Sequence, residues 1–162
     1  MATRAIFASA PARAGMYESF YLRAVAPDRA LGAWIRHTVR KPPGHPPRGS
    51  VWCTVFDAAR GAPFMHKLTT EDVRVPPDGW IAVGEPASRP ASEGAGEGAS
   101  IGRARAAGSC GGASWTLELA GDEPELLHLP AAWLYRAPLP RTKLTSPLPP
   151  RAFAARSAAP GA

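Results

Sequence analysis

The sequence predicts an all-β fold, an antiparallel barrel or curled sheet. Three observations point there. Short apolar and β-branched segments recur between Gly/Pro turns. Prolines, 19 in 162 residues, interrupt nearly every window long enough for a helix. One segment, ASWTLELA at 113–120, alternates cleanly, with Trp115, Leu117 and Leu119 on one face and Ser114, Thr116 and Glu118 on the other. No run approaches the roughly 20 apolar residues of a membrane span, so no transmembrane segment is expected. The absence of a glycine period excludes collagen.

The elements follow in order. Residues 1–15 (MATRAIFASAPARAG) lack the apolar length of a secretion signal, and Pro11 interrupts what there is. They read as a disordered leader, with Met16 an alternative start. A first strand is expected at 16–24 (MYESFYLRA) and a second at 33–40 (AWIRHTVR), which KPPGHPPRG at 41–49 terminates. A third spans 50–57 (SVWCTVFD), with a turn at 58–63. Further strands are expected at 64–69, 71–75 and 79–84. Residues 85–98 (EPASRPASEGAGEG) read as a low-complexity mobile loop. Residues 99–107 alternate weakly, and the clean strand 113–120 follows. Residues 128–150 (HLPAAWLYRAPLPRTKLTSPLPP) are aromatic, basic and proline-punctuated, a strap rather than a strand. The reading is one domain, 16–150, followed by a disordered tail, 151–162.

The second and third strands yield the sharpest inference. Antiparallel pairing with Arg40 opposite Ser50 sets Ile35 against Val55, His37 against Cys53 and Val39 against Val51, all on an aliphatic face. The other face then carries Trp34 with Phe56, Arg36 with Thr54 and Thr38 with Trp52. That face is too apolar for water, whereas an ordinary antiparallel sheet has one polar face. A ligand or another protein layer is expected to cover it.

The core is expected to be thin, because 32 of the apolar residues are alanine. Net charge is +6, concentrated in residues 1–60 and 131–162 around an acidic middle. Of the 19 cations, 16 are arginine. Their dispersion fits a compositional bias better than a nucleic-acid footprint. Cys53 and Cys110 form no CxxC pair, which leaves zinc without a framework, and a reducing, cytoplasmic setting is the default. No metal or cofactor is expected.

Candidate chemistry is sparse. His37 beside Cys53 suggests a base and thiol, but a packed core pair explains them better. Glu18 and Asp57 are the carboxyl groups in strand-like segments of the basic N-terminal half, either of which could serve as a general acid in an apolar setting; a strand-end acid paired with arginine is the plainer reading. GEGASIG at 96–102 lacks the Gly-Lys-Ser/Thr of a phosphate loop. The run Trp133, Tyr135, Arg136, Arg141 and Lys143 suits stacked bases and phosphates, or a segment packing its aromatics inward.

The segments MYESFYLRA, GAWIRHTVRKPPG, GSVWCTVFD and above all WLYRAPLPRTKLTSP resemble the family of hydroxyneurosporene synthases and AttH-like proteins. The resemblance implies a lipocalin-like (calycin) barrel or curled sheet, the first half of a two-barrel protein. The second barrel's Gly-His-Asn-Trp-Gly-like motif has no counterpart here. The resemblance also implies an apolar ligand, isoprenoid (carotenoid) or fatty acyl, and water addition across an isoprenoid double bond in the full-length context. By residue type, Trp34, Arg36, Thr38, Trp52, Thr54, Phe56, Trp115 and Tyr135 are the expected ligand contacts. The expected partners are that apolar small molecule and a second barrel, or another copy, over the apolar face; nucleic acid is not expected. Two alternatives stand beside this: a non-catalytic assembly half, and a small basic β-domain for single-stranded nucleic acid.

Overall fold

The computed structural model describes residues 5–85 and 96–120 and, as backbone alone, 152–158. Ten antiparallel strands form two sheets. The first holds β1 (Met16–Val25), β2 (Leu31–Lys41), β3 (Arg48–Asp57) and β4 (Phe64–Thr70), in that order. The second holds β5 (Val73–Arg74), β6 (Gly79–Gly84), β7 (Gly98–Gly102), β8 (Arg105–Cys110), β9 (Ala113–Ala120) and β10 (Ala152–Ala158), each paired to the next. The chain is thus one continuous meander, divided where it passes from β4 to β5. The all-β expectation holds. The sheets are curled and antiparallel but are not closed into a barrel.

The hairpin β2–β3 is longer than expected and shifted. Arg40 faces Arg48 rather than Ser50, so His37 faces Val51, Ile35 faces Cys53 and Val39 faces Gly49. On the other side Trp34 faces Thr54, Arg36 faces Trp52 and Thr38 faces Ser50. The shift is two residues. Because side chains alternate with period two, every residue keeps its expected face while every pairing changes. The connection shrinks to residues 42–47, which contain the Pro pairs no ladder can accept.

A second difference lies in 99–107, which forms parts of two strands, not one. β7 ends at Gly102 and β8 starts at Arg105. β8 then turns into β9 through Gly111 and Gly112, both at positive φ (61° and 81°), with Cys110 paired to Ala113. A two-residue turn with both centres at positive φ matches the twist of the strands it joins, and Gly-Gly satisfies it without steric cost. In β9, Trp115 and Leu117 are buried and Leu119 packs beside them, as the alternation requires.

The core lies between the sheets. Ile35, His37, Val39, Val51 and Cys53 from the first meet Ile81, Val83, Ala99, Ile101, Ala106, Cys110, Trp115 and Leu117 from the second. Phe20 stacks on Trp80 across the gap, ring centres 6.5 Å apart. Small residues let the backbones approach. A Cβ on Gly49 would stand 2.9 Å from Val83 Cγ1, and one on Gly108 would stand 2.6 Å from Trp115 Cζ2 and 2.7 Å from the Gly98 carbonyl.

Two terminal stretches differ from expectation. Residues 5–14, read as a disordered leader, pack onto the sheets: Ala5 and Phe7 are buried in the core. The Ala5 amide donates to the Trp80 carbonyl at 3.0 Å. The Ile6 and Phe7 amides donate to the Glu18 carboxylate at 2.8–2.9 Å. Lys41 Nζ donates to the Ala10 carbonyl at 2.7 Å. Backbone 152–158, read as a tail, adds β10 to β9. Most of the expected loop 85–98, and the strap 128–150 with Tyr135, lie outside the described residues.

Two consequences are measurable. Gly108→Ala forces a methyl against Trp115 and a backbone carbonyl, and should lower stability by about 1–3 kcal/mol in denaturant unfolding; an unchanged midpoint would contradict this packing. His37 is fully buried, and neither ring nitrogen has a hydrogen-bond partner among the described residues. Burial pushes its pKa down from the ordinary 6.5 to about 4. As pH falls the unfolded chain takes up this proton first, so stability is full above pH 6.5 and drains away toward pH 4. The loss amounts to about 3 kcal/mol. His37→Leu should flatten that part of the stability–pH curve, and an identical slope in wild type and variant would refute the assignment.

Candidate functional site

The two faces of the first sheet have opposite fates. Parity sends Met16, Glu18, Phe20, Leu22 and Ala24 inward from β1, joined by the odd-numbered residues of β2 and β3. The other face points away from the second sheet. It carries Tyr17, Ser19, Tyr21 and Arg23 from β1 and Trp34, Arg36, Thr38 and Arg40 from β2. From β3 and β4 come Ser50, Trp52, Thr54, Phe56, Met65 and Lys67. Six of the eight expected ligand contacts therefore share one surface: Trp34, Arg36, Thr38, Trp52, Thr54 and Phe56. The seventh, Trp115, is buried in the core of the second sheet, where its strand alternation sends it, so it is not part of this surface. The eighth, Tyr135, falls outside the described residues.

This outer face is open. Tyr17 is 58% exposed, Tyr21 52%, Trp52 40% and Phe56 50%. Thr54 alone is buried, between its cross-strand neighbours Trp34 and Met65. The cations are held among the rings. Lys67 Nζ lies 4.5 Å from the centre of the Trp52 ring. Arg36 donates from Nε to Ser19 Oγ at 2.9 Å and from Nη2 to the Tyr17 hydroxyl at 2.7 Å. Tyr17 and Tyr21 belong to this surface although only the β2–β3 pair singled it out in the sequence; the alternation of MYESFYLRA is the signal that places them there.

At one end of the face the rung Val25–Gly32–Phe56 has no side chain at its centre. A groove of about 410 Å³ opens there, walled by Val25, Leu31, Gly32, Phe56 and Pro63 and by the acid Asp57. It is shallow and open to solvent. Between the sheets the inward side chains of the described residues are buried against one another.

The acid candidates are engaged elsewhere. Glu18 points inward and accepts the Ile6 and Phe7 amides. Asp57 ends β3, accepting the Ala59 amide at 3.0 Å and pairing with Arg60 at 3.5 Å. Both hold local backbone; Glu18 lies on the inner face, and Asp57 lines the end groove beside Phe56. The pairing of His37 with Cys53 does not form: Cys53 lies across from Ile35 and His66. Cys53 is pushed up to about 12, first by burial and then by Cys110 nearby, and burial pushes Cys110 up to about 11. His66 instead sits 3.9 Å from the Glu97 carboxylate. Among the described residues no three His, Cys, Asp or Glu side chains converge to hold a metal, and no helix is long and apolar enough to cross a membrane.

Both thiols are free and buried, and a protonated thiol is a poor nucleophile. A disulfide-exchange reagent at pH 8 should therefore find no fast-reacting cysteine in the native protein and two after unfolding; a rapid native reaction would contradict these surroundings. No family model, no curated protein and no solved structure matches the chain, and its function is argued from its own residues.

Proposed function

We propose that the chain is a lipocalin-like binding domain that takes an apolar ligand, isoprenoid or fatty acyl, on the outer face of the four-stranded sheet. One observation carries this reading: Trp34, Trp52 and Phe56 stand with Tyr17 and Tyr21 on a single open surface beside a groove. Contiguous apolar surface of this kind marks interaction sites, because leaving large rings in water forfeits the free energy of burying them. The inward side chains pack against one another in the core, which supports this face over a lumen as the binding surface. An open sheet covers only one side of a ligand. A second barrel, or another copy of the chain, would cover the other.

Binding is favoured over hydration. Protonating an alkene carbon requires an acid free to act at the ligand, and both carboxylates are occupied: Glu18 on the inner face with the Ile6 and Phe7 amides, Asp57 beside the groove with the Ala59 amide and Arg60. The test is a titration with cis-parinaric acid, a fluorescent polyene fatty acid, read by quenching of tryptophan emission. Saturable quenching is expected. Trp52→Ala and Phe56→Ala should each weaken it by about tenfold, the loss expected for one buried ring contact. Unsaturable quenching by the folded wild-type chain would end this reading.

Single-stranded nucleic acid is a second reading, favoured by the alternation of rings and cations on an open face, with Arg36 between Tyr21 and Trp52 in register. Stacked bases and phosphates match that alternation. Salt separates the two. Oligothymidylate affinity would fall steeply between 50 and 200 mM salt, on the order of tenfold or more, whereas affinity for an apolar chain would hold.

A further inference from the structure

We propose, resting on the apolar-ligand reading, that the ligand is an amphiphile with an oxyanion head, that Arg36 receives the head, and that the notch at Gly32 receives the end of the tail.

On the outer face the four strands carry Arg23, Arg36, Arg40, Arg48 and Lys67, and none of them places an Asp or Glu there. Arg48 is neutralised from beyond β4 by Glu71, at 2.8 Å. Arg36 stands differently. Its two hydrogen-bond acceptors, Ser19 Oγ and the Tyr17 hydroxyl, are neutral. They fix the guanidinium without cancelling its charge. A guanidinium has five N–H donors in a planar fork. Two are used in these bonds, which leaves donors for an incoming oxyanion. An arginine oriented by hydroxyls, flanked in register by Tyr21 and Trp52, complements a ligand that is anionic at one end and apolar along its length.

The tail direction follows from the same strand. Trp34 is the next outward residue toward the start of β2, and Gly32 the one after. From Arg36 to Gly32 is four residues, about 13 Å of strand, a span a medium-length acyl chain covers. The route runs past Trp34 and ends in the groove between Val25 and Phe56. The missing side chain at Gly32 makes that groove. Its backbone does not require glycine: φ is not positive, and a Cβ there would meet only the Ala24 carbonyl, at an ordinary 3.4 Å. A larger residue at this position is therefore accommodated by the fold and occupies the tail's place.

The experiment compares three probes with the same twelve-carbon chain, dodecanoate, dodecyl phosphate and dodecanol, by displacement of cis-parinaric acid. At least one of the two anions should bind about tenfold or more tighter than the alcohol, and which of them does so separates a carboxylate from a phosphate head. Arg36→Gln should erase that preference while leaving dodecanol affinity within about twofold. Gly32→Leu should weaken dodecanoate by about tenfold and spare hexanoate, whose chain is too short to reach the notch. Circular dichroism and the unfolding midpoint establish that both variants are folded. Equal affinity of acid, phosphate and alcohol in the wild type would overturn the head assignment and leave the apolar-ligand reading standing. A preference that survives Arg36→Gln would remove Arg36 from the site, and an unchanged chain-length profile in Gly32→Leu would remove the notch. Failure of all three probes to displace would remove the binding reading itself.

Discussion

Between the two sheets the backbone of β3 at Gly49 runs against Val73 and Val83, which leaves no room there for a side chain. This close approach is both permitted and required by the composition. A chain with 32 alanines among its apolar residues fills a wide gap poorly, and an unfilled gap forfeits dispersion contacts along its whole lining. The sheets therefore close on each other. The larger inward groups include Trp115, packed beside its cross-strand partner Gly108, and Phe20, stacked on Trp80. Inward positions of the first sheet are taken mainly by aliphatic side chains, His37 and Phe20, while Tyr17, Tyr21, Trp34, Trp52 and Phe56 occupy outward positions. The exposed aromatic face and the thin core are two results of one distribution of side-chain volume.

The ends of the sandwich are handled by charge instead of volume. Glu18 and Lys41 both point inward near the open end of the first sheet, where an unpaired ion would be costly. Each is satisfied by backbone of residues 5–14, the carboxylate by amides and the ammonium by carbonyls. The segment is thereby held at both ends of its own dipoles, and Phe7 is carried into the core. A carboxyl group that looks in sequence like a candidate acid is, in the fold, the anchor of a strap.

Much of this was legible from alternation alone. Parity assigned the faces of β2, β3 and β9 correctly, because a face depends only on whether positions are odd or even. Register was not legible. It depends on how many residues the proline-rich turn consumes, and 42–47 uses fewer than the composition of 41–49 suggests. The division of 99–107 was hidden for the opposite reason: the Gly111–Gly112 turn carried the signal, and the stretch between Gly102 and Arg105 is too short to show a break in composition. The grouping of Trp34, Arg36, Trp52 and Phe56 could be read from β2 and β3 alone. Trp115 was misassigned to that group because residue type says nothing about which sheet a ring belongs to. The ordering of 5–14 was invisible, since its partners Glu18, Lys41 and Trp80 are distant in sequence.

The meander has a kinetic meaning as well. From β1 to β9 every strand pairs only with its neighbours in the chain, so each ladder closes a short loop. Loop-closure entropy is then spent in small steps, and such topologies fold faster than sandwiches whose sheets interleave distant strands. The order in which segments leave a ribosome is also the order in which they can pair. The first sheet is complete at Thr70, before any of the second has been made, and its inner face must wait for the strands that will cover it. During that interval Ile35, Val39, Val51 and Cys53 stand in water. The charged ends Glu18 and Lys41, already tied to residues 5–14, are then the parts of that face that are finished.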